Sequence, residues 1–238
     1  MNPILQSQVL IITLCGVMTI SSQSEPKNPI VEASRTPPVY DSTYYAKRAK
    51  EDAERWRAFL KKIEEPDLES LRDNAAMEVY RFIYQPHFSK VLVLTVKKAA
   101  AQLSFEIRRL SEKYIVELKG SADIDSDTFD GIREAFAKPE TYAPLRELTP
   151  LQRDALWGLD GAWWHLETLR EGEHTHAVVW SPESISSASK EDRTSFRAQF
   201  GFDMPDIQPF ERACLELVRL SGLPLDAKNY EPRPEQER

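Results

Sequence analysis

Trp157-Gly158-Leu159-Asp160-Gly161-Ala162-Trp163-Trp164-His165-Leu166-Glu167, continued from Thr168 to Pro182, is the stretch whose reading decides the fold. Four of the five tryptophans and three of the four histidines lie in it, so the ring chemistry of the chain is concentrated in one element. The pattern is that of a two-stranded antiparallel hairpin. Gly161 and Gly172 accept backbone angles that a Cβ would forbid, which marks them as turn or bulge positions. A two-residue turn at Glu171-Gly172 sets the register by counting outward: Thr168 faces Thr175, Glu167 faces His176, Leu166 faces Ala177 and Trp164 faces Val179. Side chains alternate along a strand, so Ala162, Trp164, Leu166, Ala177 and Val179 share one face, the face expected to be buried. The other face carries Trp163, His165, Glu167, His174, His176, Val178 and Trp180. A slip of one residue would exchange the two sets.

Upstream, Met77 to Tyr84, Lys90 to Lys97, Gln102 to Leu110 and Tyr114 to Leu118 read as strands. Both faces of the Lys90 to Lys97 strand are apolar, as in a central strand covered on two sides. Asp41 to Glu65 reads as a helix with a partial apolar stripe through Tyr45, Ala49, Ala53, Trp56, Phe59, Leu60 and Ile63, closed by Pro66. Asp125 is placed to cap a helix carrying Phe129, Ile132 and Phe136, ended by Pro139. Thr149-Pro150 starts a short helix, and Ser189 to Phe200 forms another. Asp206 opens a final helix with Phe210, Cys214, Leu217 and Val218 on one face, stopped by Gly222 and Pro224. Neighbouring strands with helices around them, and no repeating β-α-β unit, predict an α+β fold: an antiparallel sheet of hairpins with helices packed on one face.

The two ends have a different character. No charged residue occurs before Glu25, and the apolar run from Val9 to Ile20 is shorter than the ~20 residues that span a bilayer. Ser21-Ser22-Gln23-Ser24 follows it, so residues 1–24 are expected to be a signal peptide cleaved after Ser22 or Ser24, with an uncleaved anchor as the alternative. Leu14 stands where a lipoprotein signal needs a small residue before Cys15. The remaining organisation is read as a flexible linker over 25–40, one α+β domain over 41–225 and a disordered, Pro- and Glu-rich tail over 226–238. Cleavage would leave Cys214 as the sole cysteine and no internal disulfide. The net charge of −7 argues against nucleic acid and against docking on anionic lipid. A periplasmic or extracellular protein without a stable membrane span follows.

The sequence Gly158-Leu159-Asp160-Gly161-Ala162, Trp164, Glu167, His176-Ala177-Val178 and Trp180-Ser181-Pro182 resembles a group of uncharacterised bacterial proteins, several of them apparently exported, with the pattern LDGA-x-W, E, YHVV, WSPE. The likeness is loose over Val91 to Gly222 and closer in the hairpin. It implies the same α+β order and no activity. Trp163, His165 and His174 depart from the pattern.

His165, Glu167, His174 and His176 place four metal-ligand types on one face, and zinc is held by three or four such groups. The plainer reading is a solvated hairpin face with a Glu167–His176 pair, which could also act as an acid–base couple. Ser181 lacks a Gly-x-Ser-x-Gly elbow, and Cys214 lies on an apolar helix face, so neither reads as a nucleophile. Trp163 and Trp180 either pair across the strands or, with Glu167 and His176, present a surface for another protein or an envelope component. The leading expectation is an exported, non-enzymatic binding protein. The alternative is a metal-binding protein or metal-dependent hydrolase using the histidine face.

Overall fold

A computed structural model describes residues 42–87, 89–146, 148–156 and 161–222. The expected signal peptide, linker and tail, and the Trp157 to Asp160 part of the hairpin approach, lie outside the described residues. Six strands build one antiparallel sheet: β1 (Met77–Pro86), β2 (Val91–Ala99), β3 (Gln102–Leu110), β4 (Val116–Asp123), β5 (Ala162–Arg170) and β6 (Glu173–Trp180), in the order β4-β3-β2-β1-β5-β6. The first four form a meander, and the β5–β6 hairpin adds to the other side of β1. Among the described residues β6 is therefore an edge strand.

The hairpin adopts the register expected from its turn, with Thr168 opposite Thr175, Glu167 opposite His176, Leu166 opposite Ala177 and Trp164 opposite Val179. Glu171 and Gly172 both take positive φ, 53° and 77°, the sign pattern of a type I′ turn. That turn's twist matches the twist of the strands it joins.

Helices α1 (Ser42–Lys62), α2 (Ser126–Ala137), α3 (Ala143–Arg146), α4 (Pro150–Ala155), α5 (Pro182–Ser186), α6 (Lys190–Phe200) and α7 (Gln208–Ser221) complete the fold. Their ends follow the capping residues. The Asp125 side chain accepts the Thr128 N–H to start α2. Thr149 with Gln152 and Ser189 with Asp192 form reciprocal capping boxes for α4 and α6. Gly222 closes α7 at φ 64°. Helix α7 begins at Gln208 rather than Asp206, whose carboxylate accepts the Gln208 N–H. Helix α1 stops at Lys62, short of the expected Glu65, because the chain turns through a left-handed Glu64, φ 58°.

One sheet face carries the main core. Tyr80, Phe82 and Tyr84 of β1, Leu92 and Leu94 of β2, and Trp164 and Leu166 of β5 pack with Phe129 and Phe136 of α2 and with Phe210, Cys214 and Leu217 of α7. All five residues assigned to the buried face of the hairpin belong to this core.

The expectation of helices on one face needs correction. Helix α1 lies on the opposite face, where Leu60 and Ile63 join Ile83, Val91, Val93 and Leu110, with Trp56, Phe59 and Tyr114 around them. The two apolar faces of β2 require that second cover. A 3-10 turn, Leu68–Leu71, extends it by seating Leu68 on Val79 and Leu169. Between the two apolar patches lies a polar gap, and the hairpin's Glu167 fills it.

Candidate functional site

Glu167 was expected on a solvated face, yet it is fully buried, at 0% exposure. Its partner is Arg81, opposite it on β1 and 1% exposed. Arg81 Nε donates to Glu167 Oε2 at 2.8 Å, and Nη2 donates to the same oxygen. Arg81 Nη1 donates to Glu65 Oε2 at 3.1 Å and to the Pro66 carbonyl at 2.9 Å. Glu65 also accepts from Arg108 at 2.6 Å. The other carboxylate oxygen of Glu167 accepts from Trp56 Nε1 and from His174 Nε2, each at 3.2 Å. Burial alone would raise the Glu167 carboxyl, but the His174 hydrogen bond and the Arg81 guanidinium outweigh it and hold the group at about 2.

His165 and His176 lie side by side, their rings 14° from parallel, with His165 Nδ1 and His176 Nε2 3.2 Å apart. The Trp56 indole covers both, with ring centroids 4.2 Å from His165 and 4.5 Å from His176. Burial, then the neighbouring His176, lowers His165 well below its ordinary value. Burial also lowers His176, toward about 4, although this ring keeps an exposed edge, which tempers the effect. Two neutral rings so placed share one proton in a hydrogen bond. His165 Nε2 is buried without a hydrogen-bond partner among the described residues.

The four side chains expected as metal ligands do share a face, but they do not converge. Among the described residues no three His, Cys, Asp or Glu groups are arranged to hold a metal. Both Glu167 oxygens are committed to Arg81, Trp56 and His174, which leaves the carboxylate saturated. The network is an anchor that ties α1 and the following turn to β1 and β5.

The expected surface of Trp163, Trp180, Glu167 and His176 also changes form. Trp163 and Trp180 do pair, at 4.9 Å and 69°, but Trp180 is only 6% exposed. Trp163, His176 and Trp180, but not the buried Glu167, line a cleft of about 730 Å³ around the outer edge of β6. One wall is α1, with Arg48, Asp52, Arg55, Trp56 and Phe59; the other is the α3–α4 segment, with Tyr142, Leu145, Arg146, Leu148 and Arg153. Arg48 reaches Asp154 at 2.8 Å and joins the walls. Trp163, His165, His176 and Trp180 line the space between them. Four arginines against two aspartates make the lining basic within an acidic chain.

The arginines and the far wall escaped sequence reading, because 48, 55, 146 and 153 share no local pattern. Arg81 did leave a signal: a lone charge between Tyr80 and Phe82 in an apolar strand demands a carboxylate from a neighbouring strand. The nucleophile candidates lie elsewhere. Cys214 is fully buried in the core, its thiol pushed up by desolvation. Ser181 Oγ accepts the Ala162 N–H.

No protein-family model matches the chain, and no curated protein or solved structure matches it.

Proposed function

We propose that this chain is an exported, non-enzymatic binding protein of the cell envelope, and that the cleft between α1 and β6 is its binding site. The observation that carries the reading is the lining itself: arginines on two walls, with indole and imidazole rings between them. Two buried polar atoms on cleft-lining residues, His165 Nε2 and Trp180 Nε1, have no hydrogen-bond partner among the described residues. Buried polar groups are ordinarily satisfied, so a ligand that supplies partners gains from both. A concave, largely apolar site with a few charged groups is the usual form of a ligand pocket. No described helix is long and apolar enough to cross a membrane. Export rests on the apolar run and small residues at the start of the sequence.

The test uses protein recovered from its own envelope fraction. Its intact mass should correspond to a chain cut after Ser22 or Ser24. Added back to fractionated envelope extract, the ¹⁵N-labelled protein should shift the indole signals of Trp56, Trp163 and Trp180 while that of Trp164 stays still. Trp163→Ala should abolish those shifts and remain folded, because Trp163 is only half-buried. An uncut mass overturns export, and shifts confined to residues away from the cleft overturn the site.

A further inference from the structure

The edge strand in the cleft defines a class of ligand, and this step rests on the cleft being the binding site. Ser181 N–H donates to the Ala162 carbonyl at 2.8 Å, and the hairpin register pairs positions whose numbers keep a constant sum. In an antiparallel ladder, hydrogen-bonded and non-bonded pairs alternate. Ala177 and Val179 therefore direct their backbone groups at β5, while His176, Val178 and Trp180 direct theirs outward. All three line the cleft. Among the described residues no backbone–backbone bond outside the sheet reaches them.

The two walls differ in what they have left to offer. On the α1 wall, Arg48 is paired with Asp154 and Arg55 with Asp52. That leaves Trp56 and Phe59, with Trp163 beyond them, as its apolar surface. On the α3–α4 wall, Arg146 bonds the Thr175 hydroxyl and lies over the Tyr142 ring. Neither Arg146 nor Arg153 has a carboxylate within ion-pair distance among the described residues, and both are exposed.

We propose that the cleft binds an extended peptide segment of a partner protein, which adds to β6 as a seventh strand. Its backbone pairs with His176, Val178 and Trp180. Its side chains alternate, acidic toward Arg146 and Arg153 and apolar toward Trp56 and Trp163. Main-chain pairing supplies affinity and the two walls supply specificity, as in other edge-strand recognition. At ~3.3 Å per residue, five or six residues cover the span from His176 to Trp180.

A capped hexapeptide of alternating glutamate and valine is the probe, with a lysine–valine hexapeptide and an N-methylated glutamate–valine hexapeptide beside it. The glutamate peptide should slow exchange of the His176, Val178 and Trp180 amides and leave the Ala177 and Val179 amides unchanged. Arg146→Glu with Arg153→Glu should weaken it by at least about tenfold, the scale of one lost charge-assisted pair. The lysine and N-methylated peptides should fail to bind. Equal binding of either control, binding without protection of the three amides, or no binding at millimolar peptide overturns the proposal. Indole shifts with envelope extract but none with the peptide would remove the peptide class and leave the cleft. The absence of both would remove the cleft as well.

Discussion

The two faces of the β5–β6 hairpin alternate along the same two strands and solve opposite problems. On one face Ala162, Trp164, Leu166, Ala177 and Val179 enter an apolar core shared with α2 and α7. On the other, Glu167 and His165 are buried just as closely, but by Arg81 from β1 and Trp56 from α1, while His176 beside them keeps an exposed edge. Apolar side chains accept any cover of the right shape. A carboxylate does not: taken out of water, it needs a counter-charge and donors for both oxygens. The first face is specified by composition, the second by particular partners. Cover on the second face is therefore less interchangeable, and it also ends sooner, leaving the cleft.

The largest test compares one residue from each face. Trp164→Ala empties a fully buried site in the core, a change that costs about 3–5 kcal/mol. Arg81→Met should cost a similar ~3–5 kcal/mol for another reason, since it strands the Glu167 carboxylate without its guanidinium. A second substitution separates them. Glu167→Met added to Arg81→Met should restore most of the loss in urea unfolding, because Glu65 keeps Arg108 and no unpaired charge remains. If the double variant is no more stable than Arg81→Met, the second face owes its stability to packing and the contrast falls.

A smaller effect tests what Trp56 contributes. Trp56→Phe keeps an aromatic ring over the histidines and removes the N–H that reaches Glu167 at 3.2 Å. The loss of one hydrogen bond to a carboxylate predicts about 1–2 kcal/mol. Trp56→Leu should cost more, because it also removes the stacking on both rings. A Trp56→Phe midpoint equal to that of the unaltered protein would show that the indole N–H contributes nothing, and equal midpoints for Trp56→Phe and Trp56→Leu would show the same of the stacking.

The same contrast explains how much the sequence revealed. Register and both hairpin faces were readable because Glu171-Gly172 fixes the count and alternation does the rest. The caps at Asp125, Thr149 and Ser189 were readable because a cap is a local bond. The cover on Glu167 was not. Trp56 is 111 positions away from it and Arg81 is 86. In the sequence, Trp56 is one more member of an apolar helix stripe. The four histidine-face groups read as metal ligands because residue type and strand face are local, whereas the direction each side chain takes depends on those distant partners. The cleft was least visible, since its walls come from α1 and from short helices around Tyr142 to Leu156.

The smallest expected effect is a gradient with pH, and only the second face can produce it. His165 and His176 are held below their ordinary value of 6.5, so both are neutral in the folded protein near neutrality. The unfolded chain takes up protons on these rings as pH falls through 6.5, while the folded protein resists until about 4 at His176. Stability rises with pH wherever the unfolded state binds more protons, so it should fall between pH 6.5 and 4. The groups facing the rings oppose one another: Glu167 favours the proton on both and Arg81 disfavours it, and at His176 the neighbouring His174 also disfavours it. Glu167 adds a second window. Its folded value of about 2 lies below its ordinary 4.5, so its contribution is complete above 4.5 and is lost as pH falls toward 2. In urea unfolding followed across pH, His165→Phe with His176→Gln should flatten the decline between 6.5 and 4 and leave the lower window in place. An unchanged slope in that variant would assign the upper window to groups elsewhere. It could not be assigned to the other face of the hairpin, because Ala162, Trp164, Leu166, Ala177 and Val179 have nothing to titrate.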